Sequence, residues 1–264
     1  MMSEKLNLIS KANVAILKLN DPENYNPLNK EMAKNLLNKL ESIRDNNEIR
    51  AIIITGTGNA FSAGGDIKKF KESIENKDPG QFMDDLTKDL YKIAELLRKY
   101  PKPVIAAVNG WAVGAGMNLA LSCDLIIASK NAKFRQSFCK LALIPGFAGT
   151  ILLSRQLTWQ QATQMAFFGD TYTVDEMKDL GFINEITSDE DLEDVALEWA
   201  ERLANGPTLT YARTKNLFYE ALQKPLSEHL EFERQMQIKS AETKDFKNGV
   251  YAIIEKKEPE FSGK

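Results

Sequence analysis

The sequence is poor in cysteine and histidine and has no strong excess of charge of either sign. Its 264 residues include two cysteines and one histidine, and 34 basic side chains stand against 37 acidic ones, a formal net charge of −3. Two cysteines without CxxC spacing exclude a disulfide scaffold and favour a reducing, cytoplasmic setting. A single histidine excludes a metal site built on several histidines, and we expect no bound metal. The balanced charge argues against a nucleic-acid-binding protein.

Several short motifs that would indicate nucleotide binding or serine hydrolysis are also missing. Gly56 with Gly58, and Gly114 with Gly116, each begin a GxG, but no third glycine completes the GxGxxG dinucleotide fingerprint. The GxxxxGK of phosphate-binding loops and the GxSxG of α/β-hydrolases do not occur in the sequence. The sequence therefore predicts neither a redox cofactor nor a nucleotide cofactor.

One long apolar segment, 104–129, has the length of a membrane span. Asn118 and Asp124 interrupt it, and its small residues favour a strand, a turn, a buried helix and a second strand instead. We therefore expect no contact with a membrane. Near the N-terminus, Glu4 and Lys5 lie where a signal peptide needs apolar residues, which also favours a cytoplasmic protein.

Apolar runs with strand character alternate with segments of helical period. Residues 14–19 and 51–55 are short, apolar and rich in β-branched residues, as expected for buried strands. Amphipathic helical patterns follow these runs, and alternating strands and helices predict an α/β core. From about residue 189 nearly all patterns are helical. The sequence thus predicts an α/β core over residues 1–188 and a helical region over 189–264.

Two glycine-rich turns follow two of the predicted strands. Residues 61–66 (FSAGGD) come after the strand at 51–55, and residues 111–117 (WAVGAGM) come after an apolar run at 104–108. Adjacent turns with small side chains can present two backbone N–H groups to one oxygen. The second turn also begins a helix, where the first N–H groups lack partners. Paired donors of this kind stabilise an oxyanion. Turns that only permit close packing have the same spacing, so spacing alone leaves both interpretations open.

The run at 102–124, KPVIAAVNGWAVGAGMNLALSCD, closely resembles the signature segment of the enoyl-CoA hydratase/isomerase, or crotonase, family. Further similar stretches follow in family order at 60–66, 132–134, 143–150 and 169–181. The segment 259–264 is similar to the branch that contains the ring-epoxide phenylacetyl-CoA isomerases. The resemblance implies an α/β fold, a crotonase-like spiral of ββα units with a C-terminal helical region for trimerisation.

The same resemblance implies a substrate and an assembly. The substrate is expected to be an acyl-CoA thioester, with coenzyme A present only as part of the substrate and with no separate cofactor. The protein is expected to form a homotrimer or homohexamer.

The resemblance also assigns roles to residues of the two turns. The backbone N–H groups of Ala63 and Ala115 are expected to form the oxyanion hole, because an alanine at 115 keeps the N–H of the glycine that many hydratases have there. Gly64, Gly65 and Asp66 fall on the segment that binds the substrate and supports its coenzyme A part. Asp66 is also a residue type that caps helices and stabilises turns.

Three positions depart from the family pattern. Asn118 and Phe138 stand where similar hydratases have two glutamates, and Gly146 stands where the ring-isomerase branch tends to have an aspartate. Asn118 and Phe138 are expected to bind substrate without transferring protons. A substitute acid or base would have to come from the candidates Tyr25, Lys68, Lys69, Lys71, Glu72, Asp84, Asp85 or Tyr91.

These departures leave three functions open. The leading prediction is an enoyl-CoA isomerase-type reaction through a thioester enolate held in a backbone oxyanion hole. The second is an enoyl-CoA hydratase with displaced acid and base groups. The third is a catalytically silent acyl-CoA-binding partner subunit, for which the missing carboxyl groups are the direct argument.

Overall fold

The computed structural model describes residues 4–264, and this part of the chain contains ten strands and eleven α-helices. The first three residues of the predicted core, 1–188, lie outside the described residues. The strands are β1 (Leu6–Lys11), β2 (Val14–Leu19), β3 (Ala51–Gly56), β4 (Ala60–Ser62), β5 (Val104–Val108), β6 (Trp111–Val113), β7 (Leu125–Ser129), β8 (Lys133–Arg135), β9 (Thr171–Thr173) and β10 (Glu185–Thr187). The α-helices are α1 (Lys30–Arg44), α2 (Ile67–Glu75), α3 (Pro79–Arg98), α4 (Ala115–Ser122), α5 (Gly149–Gln156), α6 (Trp159–Phe168), α7 (Val174–Asp179), α8 (Leu192–Ala204), α9 (Thr208–Ala221), α10 (Leu226–Ala241) and α11 (Lys244–Glu255).

The strands form two sheets, and successive pairs of strands along the chain add one strand to each sheet. The larger sheet has the order β1-β2-β3-β5-β7-β10, and only its β1–β2 pair is antiparallel. The smaller sheet has the order β4-β6-β8-β9, with β8 and β9 antiparallel. Strands β3, β5 and β7 enter the larger sheet, and β4, β6 and β8 follow them into the smaller one, with helices after each pair. This repetition confirms the predicted α/β spiral of ββα units.

Two clusters of buried side chains cover the two faces of the larger sheet. On β3, Ile52 and Ile54 belong to the cluster that includes the apolar faces of α1, α3 and α4, whereas Ile53 belongs to the cluster that includes α8. Side chains alternate between the faces of a strand, so a sheet covered on both sides has continuous apolar strands. Helix α8 therefore packs with the core, although it lies in the predicted helical region. The division at residue 189 stays a prediction.

The long apolar segment 104–129 folds as strand, strand, helix and strand. It contains β5, β6, α4 and β7, and every residue of α4 is buried. Between residues 4 and 264 no helix combines the length and the apolar character that a bilayer span requires.

The last three helices leave many large apolar side chains exposed. Helices α9 and α10 pack against each other, and α10 also contacts α11. The exposed apolar side chains of these helices include Phe218, Leu222, Leu226, Leu230, Phe246, Tyr251, Ile253 and Ile254.

Candidate active site

The two glycine-rich turns meet beside the smaller sheet. Strand β4 ends at Ser62 and β6 ends at Val113, and the two strands pair in parallel, so both turns leave the same end of the pair. A Cβ atom on Gly64 would lie 2.4 Å from the carbonyl oxygen of Val113 and 3.0 Å from the nitrogen of Ala115, and Gly64 has φ +77°. A residue with a side chain would clash there, so glycine permits the close approach of the turns.

Ala115 has an unpaired backbone N–H group at this meeting point. It is the first residue of α4, where an N–H has no partner inside the helix, and the preceding Gly114 offers no side chain to cap the helix. The N–H of Gly65 also donates to no acceptor among residues 4–264. Both N–H groups are therefore available to an oxygen atom of a ligand.

Ala63, the predicted first donor, already has a partner. Its N–H donates to the carbonyl oxygen of Tyr25 at 2.8 Å. The next N–H along the chain, that of Gly64, donates to the side-chain oxygen of Ser62 at 3.1 Å. The structure thus corrects the prediction for Ala63, because its N–H is already paired, whereas the N–H of Gly65, two residues later, is not.

Asp66 caps the N-terminus of α2. One of its carboxylate oxygens accepts from the backbone N–H groups of Lys68 and Lys69, at 3.1 and 3.2 Å. This confirms the capping role that the residue type indicates. A contact between Asp66 and a substrate stays a prediction.

Asn118 is fully buried in α4 and bonds to protein groups. Its Nδ2 donates to the carbonyl oxygen of Gly146 at 2.7 Å, and its Oδ1 accepts from Nε2 of Gln136 at 2.6 Å. A Cβ atom on Gly149 would lie only 2.3 Å from Nδ2 of Asn118. The side chain has no exposed surface and both of its polar atoms are paired, and the predicted contact between Asn118 and a substrate stays a prediction. Asn118 holds the segment that leads into α5.

Phe138 and Tyr91 form a wall beside the second turn. A Cβ atom on Gly114 would lie 3.5 Å from the Phe138 ring. A Cβ atom on Gly146 would lie 3.5 Å from the same ring and 3.7 Å from the hydroxyl oxygen of Tyr91. Phe138 is half-buried and Tyr91 is exposed. The wall is thus apolar apart from the hydroxyl group of Tyr91. The predicted contact of Phe138 with a substrate stays a prediction.

Most of the candidate acids and bases take part in exposed ion pairs on α2 and α3. These pairs are Lys69–Glu72, Lys71–Glu75, Lys30–Asp85 and Lys88–Asp84. The hydrogen bond from Lys69 to Glu72 raises the pKa of Lys69, and the bond from Lys30 lowers the pKa of Asp85. Both shifts favour the charged forms, which makes Lys69 and Asp85 poor bases. Tyr91, by contrast, has its hydroxyl group at the wall.

Comparison with known proteins establishes the family. A sequence model described as enoyl-CoA hydratase/isomerase matches residues 10–264. The chain belongs to the enoyl-CoA hydratase/isomerase family. It is 36% identical to the 1,2-epoxyphenylacetyl-CoA isomerase of Escherichia coli (strain K12), over 95% of each chain. It is 34% identical to the short-chain-enoyl-CoA hydratase of Clostridium acetobutylicum, over 94% of this chain and 93% of that protein.

A solved family structure has the same fold over almost the whole chain. The crystal structure of an enoyl-CoA hydratase from Polaromonas sp. JS666 matches with a TM-score of 0.93 and 31% sequence identity, and it covers 97% of this chain and 99% of that chain. Family members with hydratase and with isomerase names are thus similar to this protein along nearly their full length.

Proposed function

We propose that the protein binds acyl-CoA thioesters and stabilises an enolate-like thioester oxygen with the N–H groups of Gly65 and Ala115. The observation that carries this proposal is the pair of unpaired N–H groups on adjacent turns, one at a helix start whose dipole favours negative charge. In other enzymes the loss of one such donor costs about 2.7–4 kcal/mol of transition-state stabilisation. Membership of the enoyl-CoA hydratase/isomerase family supports the substrate class.

Isomerisation of an enoyl thioester is the reaction that the site supports best. Hydration needs a base that activates water and an acid that protonates the α-carbon. Asn118, Phe138 and Gly146 supply no carboxyl group, and the Asn118 side chain is fully buried. Moving a double bond needs only one group that takes and returns a proton. Our candidate for that group is Tyr91 beside Gly146, whose phenolate oxygen would take the proton and, as a hydroxyl, return it to the substrate.

Two other functions each have an observation in their favour. The similarity to the hydratase of C. acetobutylicum favours an enoyl-CoA hydratase with displaced acid and base groups. The absence of carboxyl groups at positions 118, 138 and 146 favours a catalytically silent subunit that binds acyl-CoA.

We also propose that region 189–264 holds the protein in a homotrimer or homohexamer. Apolar side chains exposed on α9–α11 support this, as do Trp159, Phe167 and Phe168 of α6, because large exposed apolar patches mark interaction surfaces. Sedimentation at micromolar concentration tests the assembly, and a monomer would contradict it. A cytoplasmic location and the absence of a separate cofactor stay predictions.

Two assays run side by side test the proposed function. The first follows hydration of crotonyl-CoA, and the second follows deuterium uptake from heavy water at the α-carbon of an acyl-CoA by mass spectrometry. We expect deuterium uptake with little or no hydration, because acid and base groups contribute about 10²–10⁴-fold each to hydration. Hydration at a rate ordinary for enzymes would contradict the isomerase proposal. Thioester binding without either reaction would favour the silent subunit.

A further inference from the structure

A cavity of about 860 Å³ lies between helices α3, α5 and α9. Its volume falls in the range of about 300–1,000 Å³ that is usual for small-molecule sites. Tyr91 and Pro145 line one end of the cavity. The same Tyr91 places its hydroxyl next to Gly146, beside the Phe138 ring. The cavity therefore adjoins the candidate active site and shares the wall residue Tyr91 with it.

Basic side chains outnumber acidic ones in the lining of this cavity. The basic lining residues are Arg98, Lys102, Arg155 and Lys215, and the acidic ones are Glu95 and Asp124. Both carboxylates already have basic partners. Asp124 accepts from Nζ of Lys215 at 2.8 Å, and Glu95 accepts from Nζ of Lys99 at 3.0 Å.

The two arginines have no carboxylate partner among residues 4–264. Arg98 donates to the carbonyl oxygen of Leu121 at 2.8 Å, and the guanidinium of Arg155 lies 5.8 Å from the centre of the Tyr219 ring. Burial lowers the pKa of Arg98, the nearby negative charge of Asp124 acts against this, and the positive charge of Arg155 lowers the pKa further. Arg155 is exposed and Arg98 is half-buried, and a partly buried charge without an ion-pair partner is unfavourable. Two guanidinium groups without an ion-paired carboxylate thus lie at this part of the cavity, where they could receive an anion.

We propose that the cavity binds the distal part of an acyl chain that ends in a carboxylate, with Arg98 and Arg155 as the partners of that carboxylate. The substrate class is then the coenzyme A thioester of a dicarboxylic acid. This inference rests on the proposed function, because it places the thioester at Gly65 and Ala115. The planar guanidinium fork matches a carboxylate in geometry as well as in charge.

The length of the cavity limits the length of the acyl chain. Arg98 follows Tyr91 by seven residues on the same helix, which places it about 10 Å further along at about 1.5 Å per residue. Ala94 and Leu152 contribute apolar surface between the two ends. The cavity therefore suits a chain of medium length with an apolar middle and an anionic end.

Calorimetric titration with a matched set of thioesters tests the inference. Suberyl-CoA and octanoyl-CoA have the same chain length and differ in the terminal carboxylate, whereas acetyl-CoA is too short to reach the cavity. We expect the wild-type protein to bind suberyl-CoA at least about tenfold more tightly than octanoyl-CoA, because hydrogen bonds to charged groups are strong. The variants Arg98→Met and Arg155→Gln should each reduce this preference severalfold and leave acetyl-CoA binding unchanged. Arg202→Gln, at an exposed arginine of α8, is the control and should keep the preference.

The outcomes separate this inference from the proposed function. Failure of all three thioesters to bind would overturn the proposed function and this inference together. Binding of acetyl-CoA and octanoyl-CoA without a preference for suberyl-CoA would overturn this inference alone. A preference that survives in both folded arginine variants would also overturn it. Thermal unfolding of each variant shows whether it is folded, and Arg155→Lys, which keeps the positive charge, should retain part of the preference that Arg155→Gln loses.

Discussion

The side-chain amide of Asn118 donates to the carbonyl oxygen of Gly146 at 2.7 Å. The family resemblance predicts a glutamate at the first of these positions for hydratases and an aspartate at the second for the ring-isomerase branch. Here the residues at the two positions are hydrogen-bonded to each other, and neither has a carboxyl group in its side chain. The bond also joins α4, which begins with the Ala115 N–H, to the segment that forms the wall of the site.

Replacing Asn118 by leucine should destabilise the fold. The change leaves the buried Nε2 of Gln136 and the partly buried carbonyl oxygen of Gly146 without their partners. Each unpaired buried group costs about 1–3 kcal/mol, so we expect the free energy of unfolding to fall by at least about 2 kcal/mol. Urea denaturation measures the effect, with Asn76→Leu at an exposed site as the control. Equal unfolding midpoints for the two variants would show that the Asn118 bonds contribute little.

Adding a methyl group at Gly64 should disturb both turns at once. In Gly64→Ala the new Cβ atom would lie 2.4 Å from the Val113 carbonyl oxygen, at a φ of +77°. We expect a stability loss of about 1–3 kcal/mol together with weaker thioester binding. The matched control is Gly80→Ala near the start of α3, where no atom lies within 4 Å of the new Cβ atom. Unfolding and binding measurements on both variants test this, and normal thioester binding by Gly64→Ala would argue against the placement of the site.

Removing the N–H of Ala115 should remove one of the two oxyanion donors. Proline is tolerated at the first position of a helix, so Ala115→Pro is expected to fold. We expect thioester turnover, or binding of an enolate analogue, to fall about 10²–10³-fold. Ala115→Gly keeps the N–H and should retain most of the activity. If a folded proline variant is as active as the glycine variant, Ala115 is not a donor.

The buried amine of Lys102 should make stability depend on pH in the alkaline range. Lys102 donates to the carbonyl oxygens of Ile43 and Asn46, and burial lowers the pKa of its amine from the ordinary value of 10.5 to about 8. Between these two values the unfolded chain binds a proton that the folded chain does not, so the contribution of Lys102 to stability rises with pH. We expect the wild type to gain stability relative to Lys102→Met as pH rises from about 8 to about 10. Urea unfolding at several pH values measures this difference, and a constant or falling difference would contradict the shift.

The buried strands of the larger sheet could be predicted from the sequence, whereas those of the smaller sheet could not. Strands β2, β3, β5 and β7 are apolar runs because the sheet is covered on both faces. Strands β4, β6, β8 and β9 have three residues each, which is too short for a periodic pattern to appear. Helix α2 is also absent from the sequence prediction, although Ile67, Phe70 and Ile74 recur at helical spacing among its charged residues.

The sequence predicts the two turns of the site but not which of their backbone N–H groups are unpaired. The glycines and the helix start at Ala115 are visible in the sequence. The Ala63 N–H is paired because it donates a hydrogen bond to Tyr25, and these two residues are far apart in the chain. The burial of Asn118 depends in the same way on Gln136 and Gly146. Such tertiary contacts leave no local pattern in the sequence.

The adjacent residues Ile53 and Ile54 of β3 belong to different buried clusters, one on each face of the larger sheet. The sheet thus acts as a partition between two packing compartments, and only the compartment with Ile54 extends to α4 and Ala115. Substitutions in separate compartments that share no contacts have nearly additive free-energy effects. The compartment under α8 can therefore be redesigned for heat resistance, or can accumulate mutations, while the geometry of the two turns stays as it is.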